Sequence, residues 1–433
     1  MFDRSQLDAF RDVDGRGGYS RQGGSDVDFD PYPTFASWRQ RGDVVATDLH
    51  RDLGLDAGLS TVIATGGFAH VDRSLVFSAV SFDAVSMVLR SDRFDNSAHL
   101  RAYEPILGRT LITLDGHEHR RKRALVAKVF TRRALEGWND TVIVPAARRL
   151  VQGLEARANA NGSADLLQDF ILDFPAEVIV AILGLPTDDV RTFTNTALAM
   201  ITFSNPSLAM EAGTVLHEWI IDLAENARRR SPEPNLLSQL AVAEEDGDRL
   251  TSDEISSFLR LLFVGGFETT VKALANLAVG LLTSGQWSLL REQPDLVPAA
   301  VEEGLRWQTS VLGVPRVAVE DVEVCGVQIP AGGVVMCFLA AANHDDRRWN
   351  RPELFDATRP AVAHVSFGLG AHLCVGLQLA RSEMALALRE LLRQAPGLAL
   401  LPDSGDQVRI RGLASRGPTS IPIVVNRDAA WST

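Results

Sequence analysis

The chain has 433 residues, 46% of them hydrophobic and 23% charged, with a formal net charge of −12. That length buries a sizeable core, and the acidic balance argues against nucleic acid or an anionic membrane surface as partner. Its three cysteines, Cys325, Cys337 and Cys374, form no C-x-x-C pair, which excludes a disulfide framework and a Cys-rich zinc site and fits a reducing cytoplasm.

Residues 1–30 are rich in Gly, Ser and Asp and read as a flexible arm. They lack the apolar core of a signal peptide. From 31 to 433 no repeat or Pro/Ser linker divides the chain, so a single domain is expected, mainly α with small β-sheets. In DGHEHRRKRALVAKVF, His119 and Arg123 stand four apart and share a helix face. The clearest helix starts at Thr251, where TSDE is a capping box with Thr251 as N-cap and Glu254 at its third position. Ile255, Phe258, Leu259, Leu262 and Phe263 form an apolar stripe that resumes at Ala273, Leu274, Leu277, Ala278, Leu281 and Leu282. Such a helix is roughly 30 residues, about 45 Å, long enough to cross a domain. The uncharged run from Ala273 to Leu290 is interrupted by Asn276, Thr283, Ser284, Gln286 and Ser288, which disqualifies it as a membrane span.

Between the halves of the stripe lies GGFETT, with Gly265 and Gly266 side by side. Each costs on the order of 1 kcal/mol in a helix interior, so a ligand pressed against the backbone is one reason for the pair. VEEGLRW then places Glu303 and Arg306 three apart on one helix face. The stretch VPRVAVEDVEVCGVQIPAGGVVMCF alternates valines with turn residues and reads as short strands, as does RGPTSIPIVV near the C-terminus.

In SFGLGAHLCVG, Cys374 stands just before a helix whose apolar spacing runs from Leu377 to Leu391. Helix dipole and free N–H groups there favour a thiolate, and Gly368 and Gly370 permit positive φ and close approach to a flat ligand. Taken alone, Cys374 suits a metal ligand, a nucleophile or a small buried hydrophobe. Phe367, Gly368, Gly370, His372, Cys374 and Gly376 together fill F-G-x-G-x-H-x-C-x-G, which resembles the haem-binding loop of the cytochrome P450 family. Three further segments in order support that resemblance. GGFETT is similar to the oxygen-activation segment of the family's long central helix, VEEGLRW to its E-x-x-R pair, and DGHEHRRKR to its H-x-x-x-R haem-holding helix.

The resemblance implies a cytochrome P450 fold with the central helix crossing over a haem b whose iron takes Cys374 as axial ligand. It implies that His119, Arg123, Arg316 and His372 hold the haem propionates, that Phe367 and Gly368 line the cofactor, and that Glu268 and Thr269 supply protons to dioxygen. Glu303, Arg306 and Arg359 are implied as fold anchors. The implied activity is insertion of one oxygen atom of O2 into a small apolar substrate: a terpenoid, steroid, fatty acid or aromatic. Electrons are expected from a ferredoxin and its reductase, with NAD(P)H used only indirectly, because the chain has no flavin or iron–sulfur signature. Their expected docking face carries Arg120, Arg121, Arg132 and Arg133, with Lys122 alongside. Pocket walls are expected from Leu261, Val264, Gly265, Val311, Leu312, Val314 and Leu413, with a lid around Leu107 to Leu111. A cytoplasmic monomer is expected. A peroxide-driven peroxygenase and a haem-thiolate gas sensor are the alternatives, and the Glu268–Thr269 pair counts against both. A zinc site built on Cys374 and His372 lacks further ligands at workable spacing.

Overall fold

The helix announced by the capping box organises the structure, a computed structural model that describes residues 30–47, 52, 75–185, 190–200, 206–230, 233–245, 247–405, 407–412 and 415–425. Thr251 Oγ1 accepts from the Glu254 N–H at 3.1 Å, and a Glu254 carboxylate oxygen accepts from the Thr251 N–H at 2.9 Å. The helix runs from Ser252 to Thr283. Two α-helical halves, Ser252–Phe263 and Thr269–Thr283, are joined by a π-helical segment, Val264–Glu268. That wider turn coincides with the glycine pair, where sequence spacing predicted only a weakened α-helix. Ile255, Phe258 and Phe263 on one side and Val271, Leu274 and Leu281 on the other are buried. Each such side chain contributes about 1.5–3 kcal/mol, which outweighs the two glycines. The helix is long and apolar enough to cross a membrane, but 67% of its apolar window is buried within the fold, as in a core helix.

Around it, helices Val144–Asn161, Asp173–Leu183, Pro206–Arg228, Val297–Trp307 and Leu377–Gln394 bury their apolar faces in one cluster. A five-stranded sheet lies to one side, in the order Val44–Val45, Val76–Ala79, Val334–Cys337, Val314–Ala318, Phe94–Asp95. Its central strand, Val334–Cys337, is parallel to Val76–Ala79 and antiparallel to Val314–Ala318, with Val335 opposite Arg316. The valine-rich patch thus forms strands as its alternation predicts. RGPTSIPIVV supplies Pro422–Val425, the middle strand of a three-stranded sheet. Of the arm at 1–30, all but Asp30 lies outside the described residues.

Candidate active site

The cysteine loop is shaped by its glycines. Gly368 and Gly370 have φ of +70° and +71°. A Cβ on Gly370 would stand 2.3 Å from the Leu89 carbonyl oxygen, so this turn seats on helix Phe82–Arg90 only without a side chain. The Cys374 N–H donates to the Phe367 carbonyl at 2.9 Å, which closes the loop one residue pair before helix Leu377–Gln394. Burial pushes the Cys374 thiol up, while the Gly376 N–H and the charges of Arg123 and Arg381 pull it back. Arg381 lies 4.7 Å over the Phe367 ring and is held by both oxygens of Glu302 at 2.6 and 2.8 Å.

Beside the loop is a cluster of cations and imidazoles. The His119 and His372 rings are 4.1 Å apart, and His372 Nε2 is 3.0 Å from Asp115 Oδ1. Asn96 holds this arrangement, its N–H donating to Asp115 at 2.8 Å and its Nδ2 lying 2.9 Å from the His372 ring nitrogens. Arg123 donates to the Leu373 carbonyl at 2.6 Å, and Arg316 to the Pro315 carbonyl at 2.8 Å. Burial, then the neighbouring His372 and Arg123 charges, pushes His119 down to about 4, so its imidazole is neutral at pH 7.

Whether these residues suit a haem can be tested on what they leave over. The buried His119 Nε2 has no hydrogen-bond partner, and neither Arg123 nor Arg316 makes an ion pair among the described residues. A buried neutral donor, a buried cation and a half-buried cation match two carboxylates on a flat ligand. On the central helix, Gly265 is exposed between half-buried Val264 and Gly266, and a Cβ built on it meets nothing within 4 Å. Leu261 and Val264 on the helix, and Phe367 and Val375 from the cysteine loop, are half-buried against the same apolar cluster. The residues present therefore fit a haem.

Glu268 and Thr269 follow the open glycine. Burial raises the Glu268 carboxyl, against the pull of Lys272 and the Ser415 hydroxyl. The Thr269 hydroxyl donates to the Gly265 carbonyl of its own helix. Its oxygen keeps lone pairs with which to accept a proton donor.

Glu303 accepts two bonds from Arg306 at 2.8 Å each, one from Arg359 Nε at 3.2 Å, and one from the Asp356 N–H at 2.9 Å. Arg306 also reaches the carbonyls of Asn343, Pro352 and Leu354. The segment before the cysteine loop is thereby clamped to helix Val297–Trp307.

Not every expected residue gathers here. Leu312 is 2% exposed and packs with Phe35, Trp38 and Phe338 behind the sheet, because the chain turns into strand Val314–Ala318 just after it. Val311 and Val314 are half-buried, and Leu413 lies outside the described residues. The expected docking face is also reduced. Arg121 is gripped by Asp248 and Glu254, and Lys122 is buried between Glu118 and Glu254. Arg132 pairs with Glu136, and Arg120 and Arg133 are exposed. Sequence reading missed Asp115, Asn96, Tyr103, Lys272 and Arg381. Asp115 sits one turn before His119, and Lys272 is a cation set inside the apolar stripe, so both left a signal.

A glycine-shaped cysteine loop, buried donors for two carboxylates beside it and a central helix opened at Gly265 are together the features of a haem protein. Residues 288–395 match the family model described as Cytochrome P450. The chain is 34% identical over 402 residues to the vitamin D(3) 25-hydroxylase of Pseudonocardia autotrophica, covering 92% of this chain and 95% of that protein. It is 32% identical over 409 residues to the monooxygenase PikC of Streptomyces venezuelae, covering 92% of each. Among solved structures, CYP109E1 from Bacillus megaterium in complex with testosterone superposes with a TM-score of 0.77 at 26% identity, covering 92% of this chain and 100% of that one. The chain belongs to the cytochrome P450 family and is a monooxygenase, whose chemistry uses haem and O2.

Proposed function

We propose that Cys374 would hold the iron of a haem b through its thiolate and that the enzyme hydroxylates a bulky apolar molecule with electrons from a ferredoxin. The observation that carries this is the exposed Gly265 in a buried helix, with His119 Nε2, which has no hydrogen-bond partner, and Arg123 and Arg316, which make no ion pair, among the described residues beside the cysteine loop. Bound haem supplies the activation of dioxygen. Neutral His119 donates to a propionate, Arg123 and Arg316 neutralise the pair, and His372 is oriented toward it by Asp115. Leu261, Val264, Val311 and Val314 exclude water and orient an apolar substrate above the open glycine. Glu268 and Thr269 move protons toward the oxygen site.

Within the expected range of terpenoid, steroid, fatty acid or aromatic, the steroid class comes first. One relative is named for vitamin D(3), and one structural neighbour holds testosterone. Redox partners are external, and Arg120 and Arg133 are the exposed arginines left for a ferredoxin to meet.

The test is the absorption spectrum of the reduced, CO-bound protein beside C374H. A thiolate-type Soret band in the wild type, lost in the variant, is expected; a histidine-type band in the wild type overturns the assignment. Displacement of haem water by a steroid panel, read as a spin shift, tests the substrate class, and no shift with any steroid sinks it. Turnover with hydrogen peroxide alone that equals ferredoxin-driven turnover overturns the electron source.

A further inference from the structure

Lys272 is 0% exposed, deep in the Thr269–Thr283 half of the central helix. Taking an ammonium out of water costs several kcal/mol unless a partner compensates, so a fully buried lysine in an apolar stripe calls for a partner or a task. Glu268 stands four residues earlier. This puts the two side chains one above the other on the helix, with the acid on the N-terminal side, the favourable order for such a pair.

A loop fixes the lysine in that place. Isolated bridges join Ser415 to Val311 and Gly417 to Arg411, and Asn276 Nδ2 donates to the Gln308 and Arg416 carbonyls at 2.9 and 3.1 Å. The loop is strapped across the helix at the level of Lys272. A Cβ on Gly417 would fall 2.4 Å from Lys272 Cδ, so the lysine stem runs under this glycine.

We propose that Lys272 is a positioning residue for the monooxygenase reaction, the buried counter-ion that stabilises the carboxylate Glu268 becomes each time it delivers a proton. This deepens the reading of Glu268 as a proton carrier and rests on it. The cycle balances without a redox step: the carboxylate takes a proton from solvent hydronium, passes it to the oxygen site, and is a carboxylate again.

Among the described residues, the other groups that act on Glu268 are the Tyr103 phenol, from helix Ser97–Leu107, and the Ser415 hydroxyl, from the C-terminal loop. Burial, helped by Glu268, pushes Tyr103 up to about 12, so it stays a neutral donor. Among the described residues Lys272 is then the charge that opposes the desolvation of Glu268. Burial pushes Lys272 down to about 8 against the attraction of Glu268, so the counter-charge fades just above neutral pH.

The experiment is an infrared titration of the carboxyl band in the CO-bound holoprotein, with E268Q to assign the band and K272M to remove the charge at similar side-chain volume. The Glu268 midpoint is expected to rise by about one pH unit or more in K272M. The pH profile of product formed per O2 consumed is expected to move in the same direction. An unchanged midpoint in a K272M protein with a normal CO spectrum overturns the proposal, since mere packing under Gly417 moves stability but not the carboxyl. If K272M loses the haem, K272Q keeps a polar end without the charge and answers the same question. A shifted midpoint alongside E268Q that couples as tightly as wild type supports the counter-ion and overturns instead the proton role of Glu268.

Discussion

At the scale of single residues, two glycines of the cysteine loop separate backbone strain from close approach. Gly368 and Gly370 have nearly the same positive φ. The nearest atom to a Cβ on Gly368 is the His372 carbonyl oxygen at 3.8 Å, whereas a Cβ on Gly370 meets the Leu89 carbonyl at 2.3 Å. Gly368→Ala therefore bears conformational strain alone, about 1–3 kcal/mol. Gly370→Ala adds a clash with rigid backbone, about 1–3 kcal/mol more. Urea midpoints are expected to fall in both variants, with the second losing clearly more at an unchanged slope; equal losses would mean that the approach to Leu89 carries no weight. The need for glycine here was legible, because φ preference is written in the residue type. The pairing of Asp115 with His372 was not, since their bond spans 257 positions and only the fold brings them together.

At the scale of an element, the central helix is a long rod with a purposeful defect. Its start was legible to the residue, because a capping box is a local contract among Thr251, Glu254 and the backbone between them. Its middle was legible only as a weakness. Which kind of weakness, a π segment rather than a kink, depends on how neighbours such as Ile179 pack against Gly266, and that is tertiary information. The two glycines are not equivalent. A methyl on Gly265 enters open space, whereas one on Gly266 meets Ile179 Cδ1 at 3.3 Å. Gly265→Ala is expected to gain up to about 1 kcal/mol of helix stability, because alanine loses less backbone entropy than glycine. Gly266→Ala is expected to give back part of that gain against Ile179. Thermal unfolding of the haem-free variants reads this difference directly, and a destabilised Gly265→Ala would show that the space beside it is not free.

At the scale of the whole molecule, two adjacent glutamates of helix Val297–Trp307 fasten different parts of the chain. Glu303 binds Arg306 and Arg359 and so ties down the segment before the cysteine loop. Glu302 binds Arg381 and His364 and so ties the helix after the loop to the same base. The first clamp was legible through the E-x-x-R pattern; the second was not, because Arg381 lies 79 positions from its partner and no short motif links them. Their pH responses give the second clamp a test. Burial alone would raise the Glu302 carboxyl, but hydrogen bonds from Arg381 and His364 outweigh it and hold the group down to about 2, against an ordinary value of 4.5. A carboxyl depressed on folding contributes stability that is complete above its unfolded value and disappears as pH falls through its folded value. The window here runs from about pH 4.5 down to about pH 2. Because Glu302 is 36% exposed, solvent screening reduces the contribution to the order of 1 kcal/mol. E302Q is thus expected to unfold about 1 kcal/mol more easily than wild type at pH 7, with the gap narrowing by pH 3.5. Paired urea titrations at the two pH values measure it. A gap that stays constant with pH would mean that Glu302 stabilises the protein through packing and not through its charge.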